Sequence, residues 1–232
     1  MKHRIIKATD IQGGRDEMRR FMERHGITRT HIIILISMPV ISYIYQLFNR
    51  PIGEVRNLTL PLDGQIPFLP QFIIIYHLWY LFLIFNIGYL LLRDKDEFMK
   101  AILSINLGNI LAYITFFFFQ SRVPRPLVGD GFFESIVRFT YTIDQPYNGF
   151  PSIHVLTTTV MMIALARMDI RKDFKYGSLF FGLLIILSTV FVKQHVVLDI
   201  LGGLTYAGAS YVIISGILGR FLFKTGSKEG LK

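Results

Sequence analysis

The sequence predicts an all-α integral membrane protein built as a bundle of six helices. Hydrophobic residues make up 52% of the 232-residue chain, and they cluster in long runs. A soluble domain of this length would break such runs with polar residues. Lysine and arginine gather on alternate sides of the runs, as expected for the loops of a multi-pass membrane protein.

Six apolar runs define the predicted helices. A helix needs about 20 apolar residues to cross the hydrocarbon core, and only the fourth run is clearly shorter than that. The runs divide the chain into a basic N-terminal segment (1–30), a membrane domain (31–223) and a short tail (224–232). The predicted spans are 31–48, 69–92, 98–120, 152–167, 178–194 and 196–223.

The basic N-terminal segment precedes the first span. Its residues Met18, Phe21 and Met22 share one helical face. This spacing indicates a helix that lies on the inner membrane surface, with a solvated tail as the alternative.

The charge distribution predicts the topology. If the N-terminus is inside, the inner segments hold 19 of the 25 Lys and Arg residues. Cationic loops stay in the cytoplasm, so both termini are expected there, with segment 121–151 on the outer face. The net charge of +9 then indicates anionic membrane lipids as partners, and no nucleic acid. The outer segment 49–70 is rich in Pro and Gly, which predicts an ordered lid or a re-entrant stretch.

The stretch VKQHVVLDILGG (192–203) carries charge where the last two spans meet. His195 and Asp199 are four residues apart and share a helical face, and Lys193 lies two residues before His195. Ionisable residues at the edge of a span carry a free-energy cost in the membrane, so they are candidates for functional residues. The alternative is a snorkelling lysine beside an interfacial histidine.

The stretch GFPSIHV (149–155) opens the fourth span. Pro151 suits the first turn of a helix, so the amides from Ser152 to His154 are expected to point off the helix end, where the dipole favours an anion. The alternative is a capping Ser152 beside an interfacial His154.

The stretch QSRVPRP (120–126) adds Arg122 and Arg125 just outside the third span. The guanidinium fork suits phosphate oxygens, although both residues could simply anchor lipid headgroups.

The three stretches lie on the same predicted face of the membrane, and together they meet the needs of phosphoryl transfer. Cations neutralise phosphate oxygens, one histidine attacks phosphorus while an aspartate orients it, and a second histidine protonates the leaving oxygen. A metal site is the less favoured interpretation, because the sequence shows no compact cluster of His, Asp and Glu. No metal or cofactor is therefore expected.

These residues resemble the motifs of the type 2 phosphatidic acid phosphatase superfamily, which are Lys-x6-Arg-Pro, Pro-Ser-Gly-His and Ser-Arg-x5-His-x3-Asp. Arg125-Pro126 matches the end of the first motif. Residues 151–154 match the second with Ile for Gly, and Ser188, His195 and Asp199 match the third. The resemblance implies the six-helix plan and an outward-facing active site.

Two cations of the family motifs are absent from their usual positions. Phe118 stands where the first motif has Lys, and Thr189 stands where the third has Arg. Lys193 and Arg122 are the candidates to replace them in space. These departures resemble the branch that includes inositol phosphorylceramide synthases.

The resemblance implies a role for each site residue. His195 is the nucleophile that forms a phosphohistidine, Asp199 orients it, and His154 is the general acid and base. The predicted phosphate-binding residues are Arg125, Lys193, Ser152 and, more weakly, Arg122.

The predicted function is hydrolysis of a lipid phosphate or diphosphate, with water as the default acceptor. A head-group phosphotransferase and a non-catalytic lipid-phosphate transporter are the alternatives. A purely structural membrane protein would leave the outer cluster unexplained, and a vanadate-dependent oxidase lacks the full set of motif cations.

Overall fold

The structure is a computed structural model that describes the backbone of residues 8–226 and the side chains of residues 12–220. Nearly all regular structure in this range is helical. The helices are, in chain order, α1 (Ala8–Arg24), α2 (Arg29–Tyr43), α3 (Tyr45–Phe48), α4 (Pro61–Gln65), α5 (Ile73–Arg93), α6 (Lys95–Phe118), α7 (Phe132–Ile143), α8 (Ile153–Arg167), α9 (Lys172–Phe191) and α10 (Val197–Gly226). A 3-10 helix, Pro70–Phe72, leads into α5, and two short strands, β1 (Arg56–Asn57) and β2 (Ser121–Arg122), pair in parallel.

Five segments are long and apolar enough to cross a membrane, and α8 is a shorter apolar helix of 15 residues. The predicted order of spans, including the short fourth one, matches this arrangement. The all-α membrane bundle is confirmed. The five long segments are Arg29–Phe48, Pro70–Arg93, Lys95–Phe118, Lys172–Phe191 and Val197–Arg220.

Helix α8 forms the centre of the bundle. It packs against α5, α6, α9 and α10, and its residues Leu156, Met161 and Leu165 are fully buried. By contrast, α2 packs mainly against α6 and leaves Ile33 and Val40 exposed. A helix that is apolar on all sides, with one side in the core and the other uncovered, fits a lipid environment.

Two glycines allow close approach around the start of α8. A Cβ on Gly203 of α10 would lie 2.8 Å from the carbonyl oxygen of Ser152. A Cβ on Gly149 would lie 2.9 Å from Asp199 Oδ2. Both distances are below normal contact, so only glycine lets the first two turns of α10 pack directly against the start of α8 and the loop that enters it.

Segment 49–69, called the lid below, packs on the bundle. Strand β1 in the lid pairs with β2, which follows α6. The buried Asp63 carboxylate accepts the amide of Leu60 at 2.7 Å and the amide of Val197 at 2.8 Å. Asp63 thus caps α10 from a distant part of the chain and connects the lid to the turn that precedes this helix.

The N-terminal and C-terminal predictions are only partly covered by the described residues. The N-terminal segment contains α1, with Met18 and Phe21 exposed, but its place on the inner membrane surface stays a prediction. Residues 1–7 and 227–232, which include most of the predicted tail, lie outside the described residues.

Candidate active site

His195 lies in the turn between α9 and α10, where its ring is held by Asp199. The distance from His195 Nδ1 to Asp199 Oδ2 is 3.2 Å, and the same oxygen accepts the amide of Val196 at 3.0 Å. Asp199 is only 1% exposed. Because Nδ1 is engaged, Nε2 is the ring nitrogen left to attack a substrate.

His154 lies in the first turn of α8, facing His195. The two ring centroids are 6.0 Å apart, which is close enough for one phosphoester group to contact both rings. The His154 ring packs between Tyr76 at 4.6 Å and Trp79 at 4.3 Å, both from α5. These aromatic contacts fix the ring plane of His154 without using its nitrogen atoms.

Both histidines line a cavity of about 220 Å³, called the aromatic chamber below. It lies between α2, α3, α5, α6 and α8, and it reaches the surface at Gln46 and at Tyr80, which is 58% exposed. A molecule in the lipid phase could enter there sideways. The lining residues are Met38, Ser42, Tyr45, Gln46, Trp79, Tyr80, Tyr113, Asp144, Asn148, Ile153, His154, Thr157 and His195.

A second cavity, called the cationic chamber below, lies on the other side of His195. Its walls come from the lid, from the loop after β2 and from the turn before α10, and they include both Arg125 and Lys193. His195 lines both chambers, so the aromatic compartment and the cationic one meet at this residue. The lining residues are Thr59, Asp63, Gly64, Ile66, Val123, Pro124, Arg125, Pro126, Val190, Lys193, His195 and Val196.

The guanidinium of Arg125 is held by three oxygen atoms of the protein. Nη1 donates to the carbonyl of Tyr141 at 3.0 Å, and Nη2 donates to the carbonyl of Asp144 and to Gln194 Oε1, both at 2.7 Å. Burial lowers the pKa of Arg125, and the nearby Asp144 opposes that shift. Two of the five guanidinium N–H groups, on Nε and Nη1, remain for a phosphate oxygen.

Lys193 connects the turn before α10 to the lid. Its backbone is left-handed, with φ of 53°, and its Nζ donates to the carbonyls of Asp63 at 3.2 Å and Ile66 at 2.6 Å. Partial burial lowers the pKa of the Lys193 ammonium, and Asp63 opposes that effect. The ammonium keeps one N–H for a ligand.

The other two predicted phosphate-binding residues lie elsewhere. Ser152 is fully buried as the N-cap of α8, where its hydroxyl accepts the amide of Val155 at 3.3 Å and its own amide donates to the carbonyl of Asp199 at 3.1 Å. Arg122 is exposed on β2. The structure thus groups His195, Asp199 and His154 with Arg125 and Lys193, and a role in phosphate binding stays a prediction for Arg125, Lys193, Ser152 and Arg122 alike.

Sequence reasoning missed a polar corner of the aromatic chamber. Asp144 Oδ1 accepts the hydroxyl of Tyr45 at 2.8 Å, and Asn148 Oδ1 accepts an N–H of Gln120 at 2.9 Å. Burial raises the pKa of the Asp144 carboxyl, whereas the hydrogen bond from Tyr45 and the charges of His195 and Arg125 lower it. The sequence offered one weak signal, which is that both residues come just before the GFPSIHV stretch.

Comparison with known proteins identifies the family. The protein-family model described as the PAP2 superfamily matches residues 97–222, just over half of the chain. The chain belongs to the PAP2 superfamily. Members of this superfamily are generally phosphatases or phosphotransferases, so membership indicates an activity of this type on lipid phosphates. No curated protein and no solved structure matched the chain.

The PAP2 match runs from α6 to α10 and contains all three motif stretches. The lid, α2, α3 and α5 lie outside it. These outside segments supply Asp63, Tyr45 and the two aromatic rings against His154. Residues 12–220 contain no cluster of three or more His, Asp or Glu side chains suited to a metal ion.

Proposed function

We propose that this PAP2 protein is a lipid phosphatase that hydrolyses a lipid phosphate or diphosphate through a phosphohistidine on His195, at the outer face of the membrane. One observation carries the proposal. Two histidines, 6.0 Å apart, face one chamber, and one of them has its Nδ1 held by a buried aspartate. This is the arrangement expected for a nucleophile, its orienting group and a separate acid and base.

In the first step, Nε2 of His195 attacks phosphorus while the bond from phosphorus to the alcohol oxygen breaks. His154 gives its proton to that oxygen, so a neutral alcohol leaves. Asp199 stabilises the positive charge that develops on the His195 ring. Arg125 and Lys193, which line the cationic chamber together with His195, attract the phosphate oxygens with their remaining N–H groups.

In the second step, His154 takes a proton from water as the water oxygen attacks phosphorus. The nitrogen–phosphorus bond breaks, inorganic phosphate leaves, and both histidines return to their starting states. All charges in this scheme come from side chains, so no metal is required. An alcohol could replace water only if the site binds that alcohol well enough to compete.

The shape of the aromatic chamber supports a lipid substrate. Its opening at Gln46 and Tyr80 lies among exposed apolar residues of the bundle, and its walls include the rings of Tyr45, Trp79, Tyr80 and Tyr113. Acyl or prenyl chains can therefore stay in the bilayer while the phosphate reaches His195. The outer-face location rests on the charge distribution of the loops.

A head-group phosphotransferase is the second candidate function. It is favoured by the polar corner at Asp144 and Asn148, where an apolar tail alone would leave Asn148 Nδ2 without a partner. The narrower kinship to the inositol phosphorylceramide synthase branch remains a hypothesis that rests on the sequence departures at Phe118 and Thr189.

The test distinguishes the roles of the two histidines by comparing substrates whose leaving groups differ in their need for a proton. Purified wild type, His195→Ala and His154→Ala proteins are incubated with phosphatidic acid and with nitrophenyl phosphate, whose leaving group needs no protonation. We expect His195→Ala to form no phosphoenzyme with either substrate. We expect His154→Ala to form an acid-labile phosphoenzyme with nitrophenyl phosphate only.

The matched control is His77→Gln. His77 lies on α5 near the site, and its Nε2 is 2.9 Å from the Thr140 hydroxyl. Glutamine can keep that contact, so activity should stay within a few-fold of wild type. Turnover that survives in both His195→Ala and His154→Ala would refute the proposed roles of the two histidines, whereas absence of turnover in the wild type would favour a lipid-phosphate transporter.

A further inference from the structure

The aromatic chamber contains hydrogen-bonding groups that the proposed chemistry does not use. Asn148 Nδ2 and the hydroxyl of Tyr113 are buried with no partner among the described residues. Asp144 is partly buried, and it contributes a carboxyl whose Oδ1 accepts from Tyr45, while Oδ2 has no hydrogen-bond partner within residues 12–220. Buried polar groups are rarely left unpaired, so Asn148 Nδ2 and the Tyr113 hydroxyl require a ligand or water, and the Asp144 carboxyl lines the same chamber.

These groups match a hydroxyl better than a phosphate. A hydroxyl both donates and accepts, so it can give its hydrogen to Asp144 and accept from Asn148 or Tyr113. A phosphate group would meet a carboxyl there, and no Lys or Arg is among the residues that line this chamber. The cations instead line the chamber on the other side of His195.

The polar corner is also close to the reacting atoms. Asp144, Asn148 and both catalytic histidines line the same cavity of about 220 Å³. The backbone carbonyl of Asp144 accepts from Arg125 at 2.7 Å, which places this loop beside the phosphate-binding side as well. A group bound at Asp144 would therefore belong to the polar end of a lipid.

We infer that the aromatic chamber is a subsite for an alcohol that carries a second hydroxyl next to the reacting oxygen, with Asp144 as the residue that accepts its hydrogen bond. This inference rests on the proposed function. By microscopic reversibility, the same subsite serves the alcohol that leaves the phosphate and an alcohol that replaces water as acceptor. It adds a specificity-determining residue to the site and requires no new bond-making step.

The test uses two substrates that differ by one hydroxyl group. Lysophosphatidic acid carries a free hydroxyl on the carbon next to the phosphoester carbon, and its 2-deoxy analogue lacks it. We expect the full-length wild type in detergent to favour lysophosphatidic acid by roughly ten- to hundredfold in kcat/KM, the range expected for a buried hydrogen bond to a charged group. Asp144→Asn, which keeps size and loses charge, should reduce that ratio at least several-fold.

Two control variants separate recognition from general damage. Asp130→Asn changes an exposed carboxylate of the same outer segment and should leave the ratio unchanged. Tyr45→Phe removes the hydroxyl that donates to Asp144 but keeps the carboxyl, so the preference for the hydroxylated substrate should persist.

A second measurement uses the wild type alone and so does not depend on the folding of any variant. During phosphatidic acid turnover, a 1,2-diol such as propane-1,2-diol should capture more phosphate than propan-1-ol at the same concentration. Equal kcat/KM for the two lipids, or equal capture by the two alcohols, would overturn the inference even if hydrolysis through His195 is established. Absence of turnover with every phosphate ester would overturn the proposed function, and the inference with it.

Discussion

Gly149→Ala tests whether the contact between Asp199 and His195 carries catalysis. Gly149 packs so closely that a Cβ would lie 2.8 Å from Val123 Cγ2, 2.9 Å from Asp199 Oδ2 and 3.2 Å from Ser121 Oγ. Real side chains do not tolerate the first two distances, so Asp199 or the loop must shift by several tenths of an ångström. Of these groups, the Asp199 carboxylate is the one that contacts the proposed nucleophile, His195.

The size of the effect follows from that displacement. Overpacking of this kind typically costs about 1–3 kcal/mol of stability. Misplacement of a catalytic group by about 1 Å can reduce the rate about 10²-fold, and complete loss of an orienting aspartate can reach about 10⁴-fold. We therefore expect Gly149→Ala to lower kcat by roughly 10²- to 10⁴-fold, with a smaller effect on KM.

A double-mutant cycle isolates the cause. Asparagine has the size of aspartate, so the clash with Ala at 149 persists in the Asp199→Asn background, but the charge that it would displace is already gone. In the Asp199→Asn background, Gly149→Ala should then lower kcat by less than about tenfold, because substitutions of residues that act as a unit do not have additive effects. Gly53→Ala is the control, since nothing lies within 4 Å of its Cβ.

The assay is phosphate release from phosphatidic acid by purified protein, with thermal unfolding measured in parallel. Wild-type kcat in Gly149→Ala, or fully additive losses in the double variant, would refute the assigned role of Asp199.

Three further predictions follow. Lys193→Met should lower kcat/KM by roughly 10²-fold, whereas Lys193→Arg should retain more activity; equal losses would indicate that the contacts between Lys193 and the lid, and not its charge, matter. Vanadate should inhibit and a chelator should leave activity within about twofold, because the site charges are side chains; activity restored by a divalent ion after chelation would favour a metal site. In the cysteine-free chain, a cysteine at Ser135 should react with an impermeant thiol reagent in intact cells and one at Asp169 should not; the reverse pattern would move the active site to the inner face.

The helices and the motif histidines could be predicted from the sequence because both depend on local patterns. Apolar runs near 20 residues define spans without any knowledge of packing. The spacing of His195 and Asp199 places them on one face, and the structure brings Nδ1 and Oδ2 to 3.2 Å. The role of Ser152 was harder to read, because the same residue can cap a helix or bind an anion, and only the structure shows it as the cap of α8.

The partners of the site could not be predicted because they are distant in sequence. Tyr45 donates a hydrogen bond to Asp144, which lies 99 positions away in the sequence. Asp63 caps α10 by accepting the amide of Val197, which lies 134 positions away. Asp144 also looks like any other acidic residue of the outer segment, which contains Asp130 and Glu134 as well. What distinguishes Asp144 from these neighbours is its hydrogen bond from Tyr45 and its place in the wall of the aromatic chamber, and both depend on how α3 packs beside the loop.

The position of Lys193 suggests how substrate binding and the lid are coupled. In the structure, two of the three N–H groups of Lys193 Nζ are used by lid carbonyls, while the lid residue Asp63 caps the helix that follows the nucleophile. A phosphate in the cationic chamber offers charged oxygens, which are stronger acceptors than carbonyl oxygens. We therefore expect the third N–H of Lys193 to bind phosphate while the two lid carbonyls stay bound. Because Asp63 also caps α10, substrate binding at Lys193 would then stabilise the lid against the turn that contains His195.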